Sequence, residues 1–147
     1  MAQKTPFITD QLTKLQDAVG YGCIRKDRTA GNGEGVAIVY KMGDWCLQQI
    51  KTGTDFEIVA VIGRRTRQRR KLVTMAAYIP PSCDADTSDL IMQKNVDLIG
   101  TYKRRYNTPC FLLGGDFNKR NIKRELRVYN DLKLIQTPPT RGTIRST

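Results

Sequence analysis

The chain has 147 residues, of which 39% are hydrophobic and 27% charged. That composition supports one modest core and excludes a disordered polyelectrolyte. It contains no histidine and carries a net charge of +11, which removes Ser-His-Asp and Cys-His catalysis and every imidazole zinc site from this sequence. The charge is uneven: residues 1–57 hold seven basic and seven acidic side chains, residues 58–101 seven and four, and residues 102–147 eleven and three.

No apolar run approaches the ~20 residues of a membrane-spanning helix, and the N-terminus lacks the apolar stretch of a secretory signal. Cys23, Cys46, Cys83 and Cys110 form no C-x-x-C pair, so they read as reduced thiols of an intracellular protein rather than a zinc ribbon. Cys110, next to Phe111-Leu112-Leu113, is expected in the core.

Taken in chain order, Thr9 or Asp10 can cap a helix reaching Val19, with Leu12, Leu15 and Val19 at helical spacing. Residues 21–27 read as a strand and residues 29–33 as a turn-rich loop. Gly35-Val36-Ala37-Ile38-Val39-Tyr40 is a β-branched apolar run, a buried strand, with residues 45–50 as its candidate partner. Residues 56–62 and 72–79 are strands joined by a short Arg-rich segment, which predicts a hairpin with residues 64–70 at its tip. Pro80-Pro81 ends the second of these, because proline cannot donate to a ladder. A helix over 88–106 follows, with Asp86 to Asp89 as cap candidates and Pro109 as its stop. Residues 110–113 are a further buried strand. A basic helix or turn covers 123–131, and the tail from Thr137 reads as loop. Strands, then helix, strand and helix give an α+β pattern in one domain over residues 1–147, without a regular βαβ repeat.

Two segments concentrate the positive charge: Arg64-Arg65-Thr66-Arg67-Gln68-Arg69-Arg70-Lys71 and Lys119-Arg120-Asn121-Ile122-Lys123-Arg124. Such runs either stay solvated or neutralise phosphates and release counterions. Neither lies on an amphipathic helix suited to an anionic membrane. Gly114-Gly115-Asp116-Phe117-Asn118 is the sharpest local feature. Its glycines allow a tight turn and close approach to a ligand. Asp116 can accept a proton, orient water or hold a divalent cation, and Asn118 can donate to an anionic oxygen. The plainer reading is an Asx-stabilised turn. Tyr78, before Ile79-Pro80-Pro81-Ser82, can present its hydroxyl to a phosphate or pack on the sheet. Pro138-Pro139-Thr140-Arg141 places a hydroxyl and a guanidinium in a stiff loop.

The order of these pieces carries more than any one of them. Arg25-Lys26-Asp27-Arg28, Gly33-Glu34-Gly35-Val36-Ala37-Ile38, Phe56-Glu57-Ile58-Val59, Tyr78-Ile79-Pro80-Pro81-Ser82, Leu113-Gly114-Gly115-Asp116-Phe117-Asn118 and Pro139-Thr140-Arg141 follow one another. The set resembles the exonuclease–endonuclease–phosphatase superfamily, and within it the endonuclease domain of non-LTR retrotransposons, which precedes a reverse transcriptase. The resemblance implies a four-layer α/β sandwich of two mainly antiparallel sheets with outer helices, here incomplete at both termini. It implies phosphodiester cleavage with magnesium, DNA as partner and a nuclear location. It gives Asp116, Asn118 and Tyr78 catalytic roles, with Asp116 also a metal ligand. It places Thr140 and Arg141 near the substrate strand, while the two basic runs, read from their charge, offer Arg64, Arg65, Arg67, Arg69, Arg70, Lys119 and Arg120 as nucleic-acid contacts. The chain departs from the family pattern in lacking the metal-binding glutamate and the Asp-His pair, so impaired catalysis is expected. A noncatalytic nucleic-acid-binding remnant and a phospholipid phosphatase of the same fold are the alternatives.

Overall fold

A computed structural model describes residues 20–27, 35–107, 110–118, 120–129 and 131–133. The expected N-terminal helix, the 29–33 loop, Pro109, Lys119 and the tail with Thr140 and Arg141 lie outside them.

Two sheets form. β1 (Tyr21–Lys26) and β2 (Val36–Lys41) pair antiparallel as a two-stranded sheet. β3 (Trp45–Ile50), β4 (Ile58–Arg65), β5 (Lys71–Tyr78) and β6 (Phe111–Asp116) make the larger sheet in that order. The first three are antiparallel, and β6 lies parallel to β5. A parallel neighbour needs a crossover, which α1 (Ala85–Tyr106) provides. A short α2 (Ile122–Glu125) follows β6 and passes into a turn at 126–128, within the basic helix or turn expected over 123–131.

Residues 45–50 therefore pair with β4 and not with β2. The physical reason lies in β4, where Ile58, Val59, Ala60 and Val61 are all at most 2% exposed. A strand covered on both faces is central, and it needs ladder partners along both edges. β3 and β5 supply them, so the chain changes sheets across Met42-Gly43-Asp44.

The register sorts the core into two layers, since ladder partners share a face and alternate residues change face. Ile50, Ala60 and Met75 align, as do Ile58 and Ala77, and these pack with Val73 against Leu98, Ile99 and Tyr102 of α1. The opposite face, bearing Val59 and Val61, is where β1 and β2 lie against β4 and β5. Helix, sheet and sheet are thus three layers of the expected α+β sandwich.

α1 begins earlier than the sequence suggested. Asp84, extended after the Pro80-Pro81 turn, accepts a bond from the Thr87 amide at 2.6 Å. That bond satisfies one free N–H of the first turn, while Asp86 sits within that turn. Asn107, in the left-handed region at φ 46°, closes the other end by donating to the Lys103 carbonyl. Lys103, Arg104 and Arg105 in the last turn complement the helix dipole.

The predicted buried strand at 110–113 is an edge strand that runs on to Asp116. Leu112 is 53% exposed, and Cys110 is half-buried before it rather than in the core. None of the four cysteines is joined in a disulfide. Among the described residues no helix is long and apolar enough to cross a membrane.

Candidate functional site

β5 and β6 run side by side and end together. Tyr78 is the ladder partner of Asp116, the last residue of each strand. Their side chains share a face at a strand spacing of about 4.8 Å, and it is the face that β1 and β2 lie against. Tyr78 is half-buried and Asp116 exposed.

Three local devices hold Asp116 there. First, β6 is drawn close to β5 at Gly115, whose φ is +150°. A Cβ on Gly115 would sit 2.0 Å from the Ala77 carbonyl oxygen. Only glycine allows both that dihedral and that approach. Gly114, by contrast, has nothing within 4 Å of its missing Cβ. Second, the ladder runs past the strand ends, because the Ile79 amide donates to the Asp116 carbonyl at 3.0 Å. Third, the loop folds back on itself. The Asn118 amide donates to Asp116 Oδ1 at 3.0 Å, and Asn118 Nδ2 donates to the Ile79 carbonyl. Asn118 adopts φ 52°, a left-handed conformation that asparagine tolerates better than most residues. Between them Phe117 turns inward and packs against both apolar clusters under the sheet.

The Asx turn read from the sequence is thus present, and it leaves the second carboxylate oxygen of Asp116 exposed. One amide hydrogen of Asn118 is engaged by Ile79, so a single Nδ2 hydrogen remains for a ligand. Sequence reading missed Ile79 as the tie between the two strand ends, and Phe117 as the anchor of the loop. An apolar ring between an Asp and an Asn was the available signal for the second.

The other quoted residues fall elsewhere. In the Arg25-Lys26-Asp27 segment, Arg25 Nε pairs with Asp27 at 3.1 Å. Lys26 donates to the Thr54 carbonyl, tying β1 to the loop after β3. Burial of that ammonium lowers its pKa, against the pull of Asp55 and Glu57. The Arg120 guanidinium bonds Ser88 Oγ at 3.0 Å, Asp89 at 2.6 Å and Glu125. It clamps the loop after β6 to the first turn of α1, so the observation favours a structural use over a phosphate contact. The five hairpin arginines sit with the Arg64–Lys71 ladder pair, at the far end of β5 from Tyr78. Seven steps of extended chain put them about 23 Å away.

Among the described residues no three His, Cys, Asp or Glu side chains converge. Asp116 alone, with one oxygen already accepting from Asn118, does not fit a magnesium ion, which takes near-octahedral oxygen ligands.

Solved structures share this architecture. The catalytic domain of human Nocturnin with a bound sulfate anion superposes with a TM-score of 0.67 at 11% identity, covering 86% of this chain and 54% of that one. Humanized D. rerio TDP2 superposes at 0.52 with 17% identity, covering 89% and 52%. A functionally unknown conserved protein of Enterococcus faecalis V583 gives 0.53 and 14%, covering 81% and 52%. At these identities the likeness shows the fold alone, an α+β sandwich of two sheets with helices. The chain spans about half the length of each neighbour. No family profile and no curated protein matches it.

Proposed function

We propose that the chain belongs to a nuclease of phosphodiesterase type, of the retroelement endonuclease kind, with Asp116, Asn118 and Tyr78 at its reacting end. The observation that carries this reading is the in-register pairing of Tyr78 with Asp116 at the ends of adjacent parallel strands. It brings a carboxylate, a phenol and an amide to one rim of a fold whose solved neighbours include a catalytic domain holding a sulfate. Sulfate and phosphate present the same tetrahedral oxygens. The exposed oxygen of Asp116 accepts the proton of an attacking water, whose oxygen bonds to phosphorus as the bond from phosphorus to the leaving sugar oxygen breaks; the leaving oxygen takes a proton from solvent. The Tyr78 hydroxyl and the remaining Asn118 amide hydrogen donate to non-bridging phosphate oxygens. Lys119, Thr140 and Arg141, close in sequence or order to this rim in the family pattern, complete its contacts with the nucleic-acid strand. DNA is the substrate class, and a reverse transcriptase is the partner that the retroelement reading implies.

The test is plasmid nicking by the 147-residue protein, with and without magnesium, beside Asp116→Ala. With a single carboxylate and no imidazole, activity is expected near background, because each missing group typically lowers the rate by about 10²–10⁴. Robust nicking that persists in Asp116→Ala would remove this residue from the reaction and the reading with it. The noncatalytic nucleic-acid-binding alternative is favoured by a separate observation: the exposed hairpin arginines form no ion pair among the described residues.

A further inference from the structure

The sequence treats the hairpin arginines as one local run. In the fold they meet a second group. α1 leaves the site end of β5 and returns to start β6 at Phe111, which is the ladder partner of Val73. Its last turn therefore lies at the same end of the sheet as the hairpin tip. Arg104 and Arg105, distant in sequence from the hairpin, come to that same end of the sheet, Arg104 with its guanidinium turned back toward Gly100 and Tyr129.

The chemistry of that end is one-sided. Arg64, Arg65, Arg67, Arg69 and Arg70 are exposed, as are Arg104 and Arg105. None of the seven forms an ion pair among the described residues. The two carboxylates nearby are engaged, Asp44 by Lys41 at 3.9 Å and Asp131 by Lys103. The tip is also held in place. The Thr66 amide donates to the Asp44 carbonyl at 2.8 Å, the Thr66 hydroxyl to the Gly43 carbonyl at 3.0 Å, and the Gln68 amide to the Arg65 carbonyl at 2.9 Å. Arg105 lies 5.7 Å from the centroids of both the Tyr102 and Tyr106 rings, which limits its motion. Unpaired like charges on supported backbone repel one another. A polyanion relieves that repulsion.

We infer that the hairpin tip and the C-terminal turn of α1 form one polyanion-binding surface, separate from the Asp116 rim and about 23 Å from it along β5, whose partner is the phosphate backbone of a nucleic acid. Guanidinium forks match phosphate oxygens. The exposed run from Arg64 to Lys71 contains no apolar side chain to enter a bilayer, so an anionic membrane is the poorer fit. The surface anchors a duplex without presenting its scissile bond, which makes binding and cleavage separable. It does not depend on the reading of Asp116.

The test is the salt dependence of binding to a short fluorescent DNA duplex, measured on the full chain. Arg104→Gln/Arg105→Gln is expected to reduce the log–log salt slope by about one to two units, and glutamine at all five hairpin positions by about three to four. The corresponding lysine variants keep the slope, which separates charge from folding. Lys51→Gln/Lys94→Gln removes two charges elsewhere and is expected to change it by less than the helix-end pair. An unchanged slope in the helix-end variant, or an equal loss in the Lys51/Lys94 control, would overturn the shared surface. Binding to phosphatidylserine vesicles in preference to the duplex would overturn the choice of partner. Slope losses as expected, alongside nicking indifferent to Asp116, would leave this surface standing and sink the proposed chemistry.

Discussion

Replacing Gly115 with alanine tests whether the end of β6 is placed by a backbone contact that only glycine permits. The added methyl carbon would lie 2.0 Å from the Ala77 carbonyl oxygen and 3.0 Å from its carbon, at a φ of +150°. Both obstacles are backbone, so no side-chain rotation relieves them. The dihedral alone costs about 1–3 kcal/mol, and forcing extra atoms into a packed ladder about 1–3 more. A loss near 4 kcal/mol corresponds to a fall in Tm of roughly 8–16 °C for a chain of this size. Gly114→Ala is the control. Its Cβ meets nothing within 4 Å, and its φ is not positive. There the substitution mainly stiffens the unfolded chain, an effect between neutral and about 1 kcal/mol stabilising. Thermal melts of the two variants followed by circular dichroism decide the matter. Equal melting temperatures, or greater damage at Gly114, would refute the claim that β6 is seated by the Gly115–Ala77 approach.

Arg120→Gln is expected to lower stability by about 1–2 kcal/mol in urea titrations, since two partly exposed ion pairs and a hydroxyl bond are lost, while the DNA salt slope stays that of the parent. A slope reduced by a full unit would make Arg120 a phosphate contact after all. Asp84→Ala removes the α1 cap. The bond from the Thr87 amide depresses the Asp84 pKa, so the carboxylate is deprotonated more readily in the folded chain than in the unfolded one. The cap's contribution is then present above the ordinary aspartate value of about 3.9 and fades as pH falls through the depressed one. The gap in Tm between the parent and Asp84→Ala should be full at neutral pH and shrink in acid; a gap independent of pH would mean that the charge plays no part.

Local signals made much of the fold readable. The β4–β5 hairpin announced itself through two β-branched runs around a short polar segment, and the double proline marked where β5 ends. The partner of β3 was not readable, because a three-residue turn after β2 looks like a hairpin connection. What decides it is the burial of β4 on both faces, a property of the assembled layers. The start of α1 was misplaced because Asp84, Asp86 and Asp89 are equivalent as residue types. Only Asp84 follows the proline turn in an extended conformation. At the site, the glycine pair and the Asp-x-Asn spacing pointed to a strand end, but the register between Tyr78 and Asp116 is set by packing. Which glycine matters depends on a carbonyl of another strand. The use of Arg120 was hidden for a similar reason: Ser88 and Asp89 lie more than thirty residues away.

The parallel joint between β5 and β6 also has a kinetic meaning. Arg64 and Lys71 pair across a tight loop, whereas Val73 must find Phe111 across the whole of α1. Closing the longer loop, 38 residues against seven, carries an extra entropy cost of about 1.5 kcal/mol. The pairing of β6 is therefore expected late in folding, after the hairpin and once the helix has docked. By the same logic it is the first ladder to open in the native state, and amide exchange along β6 should outpace exchange in β4. The carboxylate of Asp116 then rides on a strand that opens early, so the chain can lose its Asp116 rim transiently while its arginine-rich end stays folded.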